Sequence, residues 1–67
     1  MLLTLEAARV NRGLKQTEVA EILGITPETL SKWERGITFP NVPQITKLED
    51  LYGLSYAEID FFPQKSV

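Results

Sequence analysis

Glu28, Ser31, Lys32 and Arg35 stand at i, i+3, i+4 and i+7, so on a helix they share one face, and each carries a hydrogen-bonding or charged group. The chemistry open to such a face is recognition. An ammonium such as that of Lys32 donates to the O6 and N7 acceptors of guanine, and a carboxylate such as Glu28 accepts from the exocyclic amine of cytosine. Ser31 serves either way, and the Thr29 methyl suits the methyl of thymine. Pro27 and Thr29 border the face, while Arg35 at its far end suits a phosphate.

Bond-making chemistry finds no support. The chain has no His and no Cys, which removes the usual general bases, thiol nucleophiles and zinc-finger ligands. It lacks a glycine-rich phosphate loop, and its 67 residues are too few to build a deep pocket. Glu49 and Asp50 are adjacent and point apart on a helix, so they are not an acid–base pair. We expect no enzyme, no metal, no cofactor and no small-molecule ligand.

The elements that position these residues must come from one small domain. Its hydrophobic fraction of 43%, with one Trp, two Tyr and three Phe, suffices for a core. The absence of Cys fits a cytoplasmic setting. The apolar start, Met1 to Leu5, is too short for a signal peptide or a membrane span. A net charge of −2 argues against a nucleic-acid partner. Yet residues 1–47 hold six Lys/Arg against five Asp/Glu, and residues 48–67 hold one against four, so the acid is concentrated at the C-terminal end.

Punctuation divides the chain into five helical segments, with no strand alternation. Thr4 is an N-cap for the first, and Gly13 its stop. The second runs from about Gln16 to Leu23 and ends at Gly24, with Ile25 folding back on Val19 or Ala20. Thr26 as N-cap and Pro27 at N1 open the third, over about 27–35, and Gly36 closes it. Asn41 and Gln44 form a capping box for the fourth, which repeats Ile45, Leu48, Leu51 and Tyr52 and stops at Gly53. Ser55 and Glu58 form another for the fifth, which Pro63 stops. Residues 1–63 are expected to be the domain and 64–67 a frayed tail.

Within this layout, Gln16 to Arg35 is two short helices across a tight turn. Ala20 allows close crossing, Gly24 makes the turn, and Ile25, Leu30 and Trp33 lock the pair, the pattern of a DNA-binding helix-turn-helix. Leu14-Lys15-Gln16-Thr17-Glu18-Val19-Ala20, Leu23-Gly24-Ile25-Thr26 and Leu30-Ser31-Lys32-Trp33-Glu34-Arg35-Gly36 resemble the Cro/CI-type (XRE-type) domains of phage repressors. Pro40, Ile45, Leu48, Leu51-Tyr52-Gly53-Leu54-Ser55 and Ile59 extend the resemblance over about residues 4–62. It implies an all-α, five-helix bundle of the lambda-repressor-like type, a bacterial or phage-encoded and nucleoid-associated regulator, and an operator as ligand. It also implies, commonly, a dimer. The sequence departs from the family at Lys15, where Ser or Asn often caps the second helix, and at Glu28, where many members place a neutral or basic group.

These readings assign base contacts to Pro27, Glu28, Thr29, Ser31 and Lys32. The amide-rich start of the second helix, with Gln16 and Thr17, is a natural phosphate site. Thr26, Arg35, Thr38, Asn41, Lys15 and Arg12 are further phosphate candidates. Two charges face inward instead: Arg9 shares a face with Leu5 and Ala8, and Glu34 with Leu30 and Trp33. Buried charges must be paired, so an Arg9–Glu34 salt bridge is predicted, like an equivalent pair in phage repressors. Trp33 reads as core. Tyr56, Ile59, Phe61 and Phe62 on the last helix suit a homodimer contact, with at least one Phe of the pair packing on the core. Such a dimer would read a palindromic operator. The alternative is a protein-interaction or antitoxin-like module on the same fold, which the acidic C-terminal third favours.

Overall fold

The described residues fold into four α-helices, with a miniature parallel strand pair joining the segment before the first to the segment after the last. The computed structural model describes residues 2–62. Strand β1 (Leu3–Thr4) leads into α1 (Leu5–Asn11), followed by α2 (Gln16–Leu23), α3 (Pro27–Glu34) and α4 (Val42–Tyr52). A single 3₁₀ turn (Tyr56–Glu58) then delivers β2 (Ile59–Asp60), which pairs with β1 in the register Leu3↔Ile59 and Thr4↔Asp60.

Local chemistry starts these helices where the sequence asks. The Thr4 hydroxyl accepts from the Ala7 amide at 3.0 Å, and the Thr26 hydroxyl from the Thr29 amide at 3.1 Å. Asn41 and Gln44 exchange reciprocal bonds of 3.0 and 3.2 Å. At α2 only half of such a box forms. Glu18 Oε1 accepts from the Lys15 amide at 2.7 Å, but a lysine has no acceptor to return. Gly24 ends α2 at φ +72°, a left-handed conformation open to glycine at no steric cost, and lets the Ile25 amide reach back to the Ala20 carbonyl at 2.9 Å.

The core gathers one apolar stripe from each element. Leu5 and Ala8, Val19 and Leu23, Leu30 and Trp33, and Leu48 and Tyr52 meet at the centre, joined by Ile59 and Phe61. Ala20 of α2 is 1% exposed, so a larger side chain there would have to displace its packed neighbours.

The C-terminal segment corrects two expectations. The described residues hold four α-helices rather than five, and they include a strand pair where none was expected. The Ser55–Glu58 pattern does start a turn, with Glu58 Oε1 accepting from the Ser55 amide at 2.9 Å. But Ile59 and Phe61 both face the core while Asp60 between them is half-buried, a period of two rather than 3.6. Extended backbone satisfies that spacing, and β1 offers an edge to pair with. Two-residue strands are too short for alternation to show in sequence. The stop at Pro63 and the 64–67 tail lie outside the described residues.

Candidate nucleic-acid interface

The outer face of α3 is polar and unengaged. Pro27 and Glu28 are exposed at its start and Arg35 at its end, with Thr29, Ser31 and Lys32 half-buried between them. Among the described residues, the side chains of Glu28, Ser31 and Lys32 make no hydrogen bond or ion pair. Arg35 Nε makes only a long 3.4 Å contact with the Ser31 carbonyl. Thr29 differs: its hydroxyl lies 2.9 Å from that of Thr26, so the helix cap holds the oxygen and leaves the methyl as its available group. The opposite face holds Leu30, Trp33 and Glu34, all buried, so Trp33 belongs to the core.

The start of α2 meets the last residue of α3, where Gln16 contacts Glu34. The first amides of a helix have no intrahelical acceptor and carry the positive end of its dipole. Thr17 is exposed there and Gln16 half-buried. Gln16 does not extend its side chain to solvent as a bare phosphate donor, however. Its Nε2 donates to Glu34 Oε1 at 2.8 Å. Of the remaining phosphate candidates, Lys15, Thr26, Thr38 and Asn41 are exposed. Thr26 and Asn41 spend their side-chain oxygens on caps. Arg12 lays its guanidinium against Gly53 at the C-terminus of α4. A Cβ on that glycine would stand 3.0 Å from Arg12 Nη2. A cation is favoured at a helix C-terminus, so Arg12 has a structural post of its own.

Behind the outer face, polar groups from three helices converge. Arg9 Nε donates to Glu34 Oε2 at 2.7 Å, and Arg9 Nη2 to Glu34 Oε1 at 3.3 Å. Arg9 Nη1 donates to the Leu14 carbonyl at 3.0 Å. With Gln16, the Glu34 carboxylate accepts three N–H groups. Its side chain is 4% exposed and that of Arg9 12%, so solvent contributes little and the protein supplies the satisfaction. The bond to Glu34 raises the Arg9 guanidinium above its ordinary value, against the opposing effect of burial. Tyr52 is packed nearby with a buried hydroxyl that has no partner among the described residues. Burial, followed by the charge of Glu34, pushes its phenol up to about 12. The Arg9–Glu34 pair is legible in sequence; Gln16 as its third member is not. A signal was there: a buried carboxylate has about four lone-pair sites, and one arginine does not fill them.

The residues expected at a dimer contact divide. Ile59 and Phe61, 5% and 8% exposed, belong to this chain's own core and cannot form a contact surface. The strand geometry that points them inward is the reason, and no C-terminal helix presents them. Tyr56 and Phe62 are 58% and 69% exposed. Phe62 packs on the exposed Phe39 of the α3–α4 loop, with ring centroids 5.0 Å apart, and Tyr56 stacks on Phe61 at 5.4 Å. An apolar patch therefore joins the loop to Phe62.

Among the described residues, no helix is long and apolar enough to cross a membrane. Residues 5–59 match the family described as Helix-turn-helix. The chain is 35% identical over 51 residues to a SPbeta prophage-derived uncharacterized HTH-type transcriptional regulator of Bacillus subtilis (strain 168), covering 76% of this chain and 47% of that protein. It is 37% identical over 51 residues to the cryptic phage CTXphi transcriptional repressor of Vibrio cholerae, covering 76% of this chain and 46% of that one. The chain thus aligns with about half the length of the curated relatives it matches. No solved structure matches it.

Proposed function

The chain belongs to the helix-turn-helix family, and on that premise we propose that it is the DNA-binding part of a sequence-specific transcriptional regulator, a repressor encoded by a phage or its bacterial host. The observation that carries the reading is the outer face of α3. Glu28 is exposed and Ser31 and Lys32 half-buried on the side of α3 away from Leu30, Trp33 and Glu34, and among the described residues their polar groups are not spent inside the protein. The N-terminus of α2 meets the end of α3 through Gln16 and Glu34, and backbone amides and the helix dipole there would hold a phosphate. In this reading Lys32 and Glu28 read base edges, with Pro27, Thr29 and Ser31 against neighbouring bases. The amides of Gln16 and Thr17, with Lys15, Arg35, Thr38 and Asn41, hold phosphates.

Two such domains, joined through the exposed Tyr56 and Phe62 with Phe39 beside them, would present their α3 helices to half-sites about 34 Å apart on a palindromic operator. The modest basic charge implies weak non-specific binding, and affinity that falls steeply with added salt. The same aromatic patch and the acidic C-terminal third favour a second reading, a protein-interaction or antitoxin-like module. Selection from a random duplex pool tests the two. Enrichment of a defined site, lost from its preference when Lys32 becomes Ala, supports the regulator. Recovery of no duplex, with capture of a protein partner through Phe62, supports the module.

A further inference from the structure

The turn at Gly24 holds α2 and α3 together at one end. At the other end no backbone link joins Gln16 to Glu34, and beyond the shared apolar core the two helices are held there by side chains alone. The structure closes this open end with a side chain: Gln16, the first residue of α2, donates to Glu34, the last residue of α3, at 2.8 Å. Glu34 is itself fixed from the third direction, since Arg9 of α1 holds both its oxygens and also bonds to the Leu14 carbonyl just before α2. Core packing sets the crossing angle of two helices, and a hydrogen bond at the open end adds a second constraint on it. The group closing the pair is half-buried and its acceptor buried and charged, so the bond is stronger than an exposed amide contact.

We propose that Gln16 is a positioning residue whose side chain clamps the open end of the helix-turn-helix, holding the first amides of α2 at a fixed distance from the base-reading face of α3. Its effect on DNA passes through Glu34. This deepens the DNA-binding reading above and rests on it. The distance matters because phosphate contacts set where the protein sits along the duplex, and base contacts score only when that register is right. Loosening the clamp leaves both sets of groups in place but uncouples them. The loss then falls on the correct site, where both must be satisfied together, and spares unrelated DNA, where only phosphates are held.

The test uses the full chain and Gln16→Met, which keeps the side chain's length and removes its donor. Thermal unfolding without DNA comes first. The clamp predicts a melting temperature several degrees lower for Gln16→Met. Binding is then measured to the duplex selected from the random pool and to an unrelated duplex of equal length, across a salt series. The clamp predicts about a tenfold loss on the selected site, less than twofold on the unrelated one, and an unchanged salt slope. An unaltered melting temperature, or equal losses on both duplexes, overturns it; the second result is what a direct phosphate contact by the side chain gives. If the native chain selects no site at all, the DNA reading fails. The melting comparison then stands alone on whether Gln16 joins the two helices.

Discussion

The two faces of α3 carry charge in opposite circumstances. On the inner face, Glu34 is buried and accepts from Arg9 and Gln16. On the outer face, Glu28, six residues earlier on the same helix, is exposed and accepts from nothing among the described residues. Both are glutamates, and composition does not distinguish them. What separates them is whether the protein has already spent the group's hydrogen-bonding capacity. A satisfied buried charge is held in place, costs much to disturb and has nothing left to offer a ligand. An unsatisfied exposed one costs the fold little and keeps its acceptors for a partner. The division also runs through single residues: Thr29 gives its hydroxyl to the Thr26 cap, and its methyl remains for contact.

Substitutions on the two faces should therefore move different observables. The largest effect belongs to the inner face. Glu34→Gln leaves Arg9 without its counter-charge and should cost about 3 kcal/mol, read as a fall of more than about 10 °C in melting temperature. An unchanged melting temperature would erase the distinction between the faces. Next comes Lys32→Ala on the outer face. It should remove about 2 kcal/mol of discrimination at one base pair while changing stability by less than about 0.5 kcal/mol, measured by competition binding and urea unfolding on the same preparation. Loss of stability with no change in preference would place Lys32 on the structural side. Thr26→Ala, at the border, should cost about 1 kcal/mol through the lost cap of α3. The smallest effect at neutral pH is expected for Tyr52→Phe. The Tyr52 hydroxyl is buried without a partner among the described residues, so its removal should leave stability unchanged or slightly higher. Alkaline pH sharpens the test. The folded state raises this phenol from 10.0 to about 12, so its neutral form is favoured by the fold and the stability it supports is intact below about pH 10. That support is lost as the pH climbs from about 10 to about 12. Tyr52→Phe should flatten this part of a stability–pH profile taken by urea unfolding, and a profile identical to that of the native chain would remove Tyr52 from the account.

The α2–α3 unit was more legible than the C-terminal segment for a physical reason. Thr26, Pro27 and Gly24 act on their own neighbours, through a hydroxyl, a missing N–H and a left-handed φ, so each position announces itself locally. The inward pair was readable because two charges on apolar helical stripes need each other. Past Ser55 the local signal points to a helix, and of the described residues only three take a helical turn. Ile59 could not declare itself a strand residue, because its partner is Leu3, more than fifty positions away. Arg12 and Gln16 are instructive in the same way. Both are polar and lie close in sequence to the candidate phosphate site, yet Arg12 lies against Gly53 and Gln16 against Glu34, partners that adjacency in sequence does not suggest.

The sequence alone determined where helices begin and turn, which residues of α2 and α3 form their shared core, and which polar face is left over, because caps, glycine conformations and helical periodicity are short-range effects. Tertiary structure decided how the chain's ends close, which aromatic rings are buried and which polar side chains are already occupied. Those outcomes depend on partners brought together only by packing, and the free energy of burying or satisfying a group does not exist until its neighbour arrives.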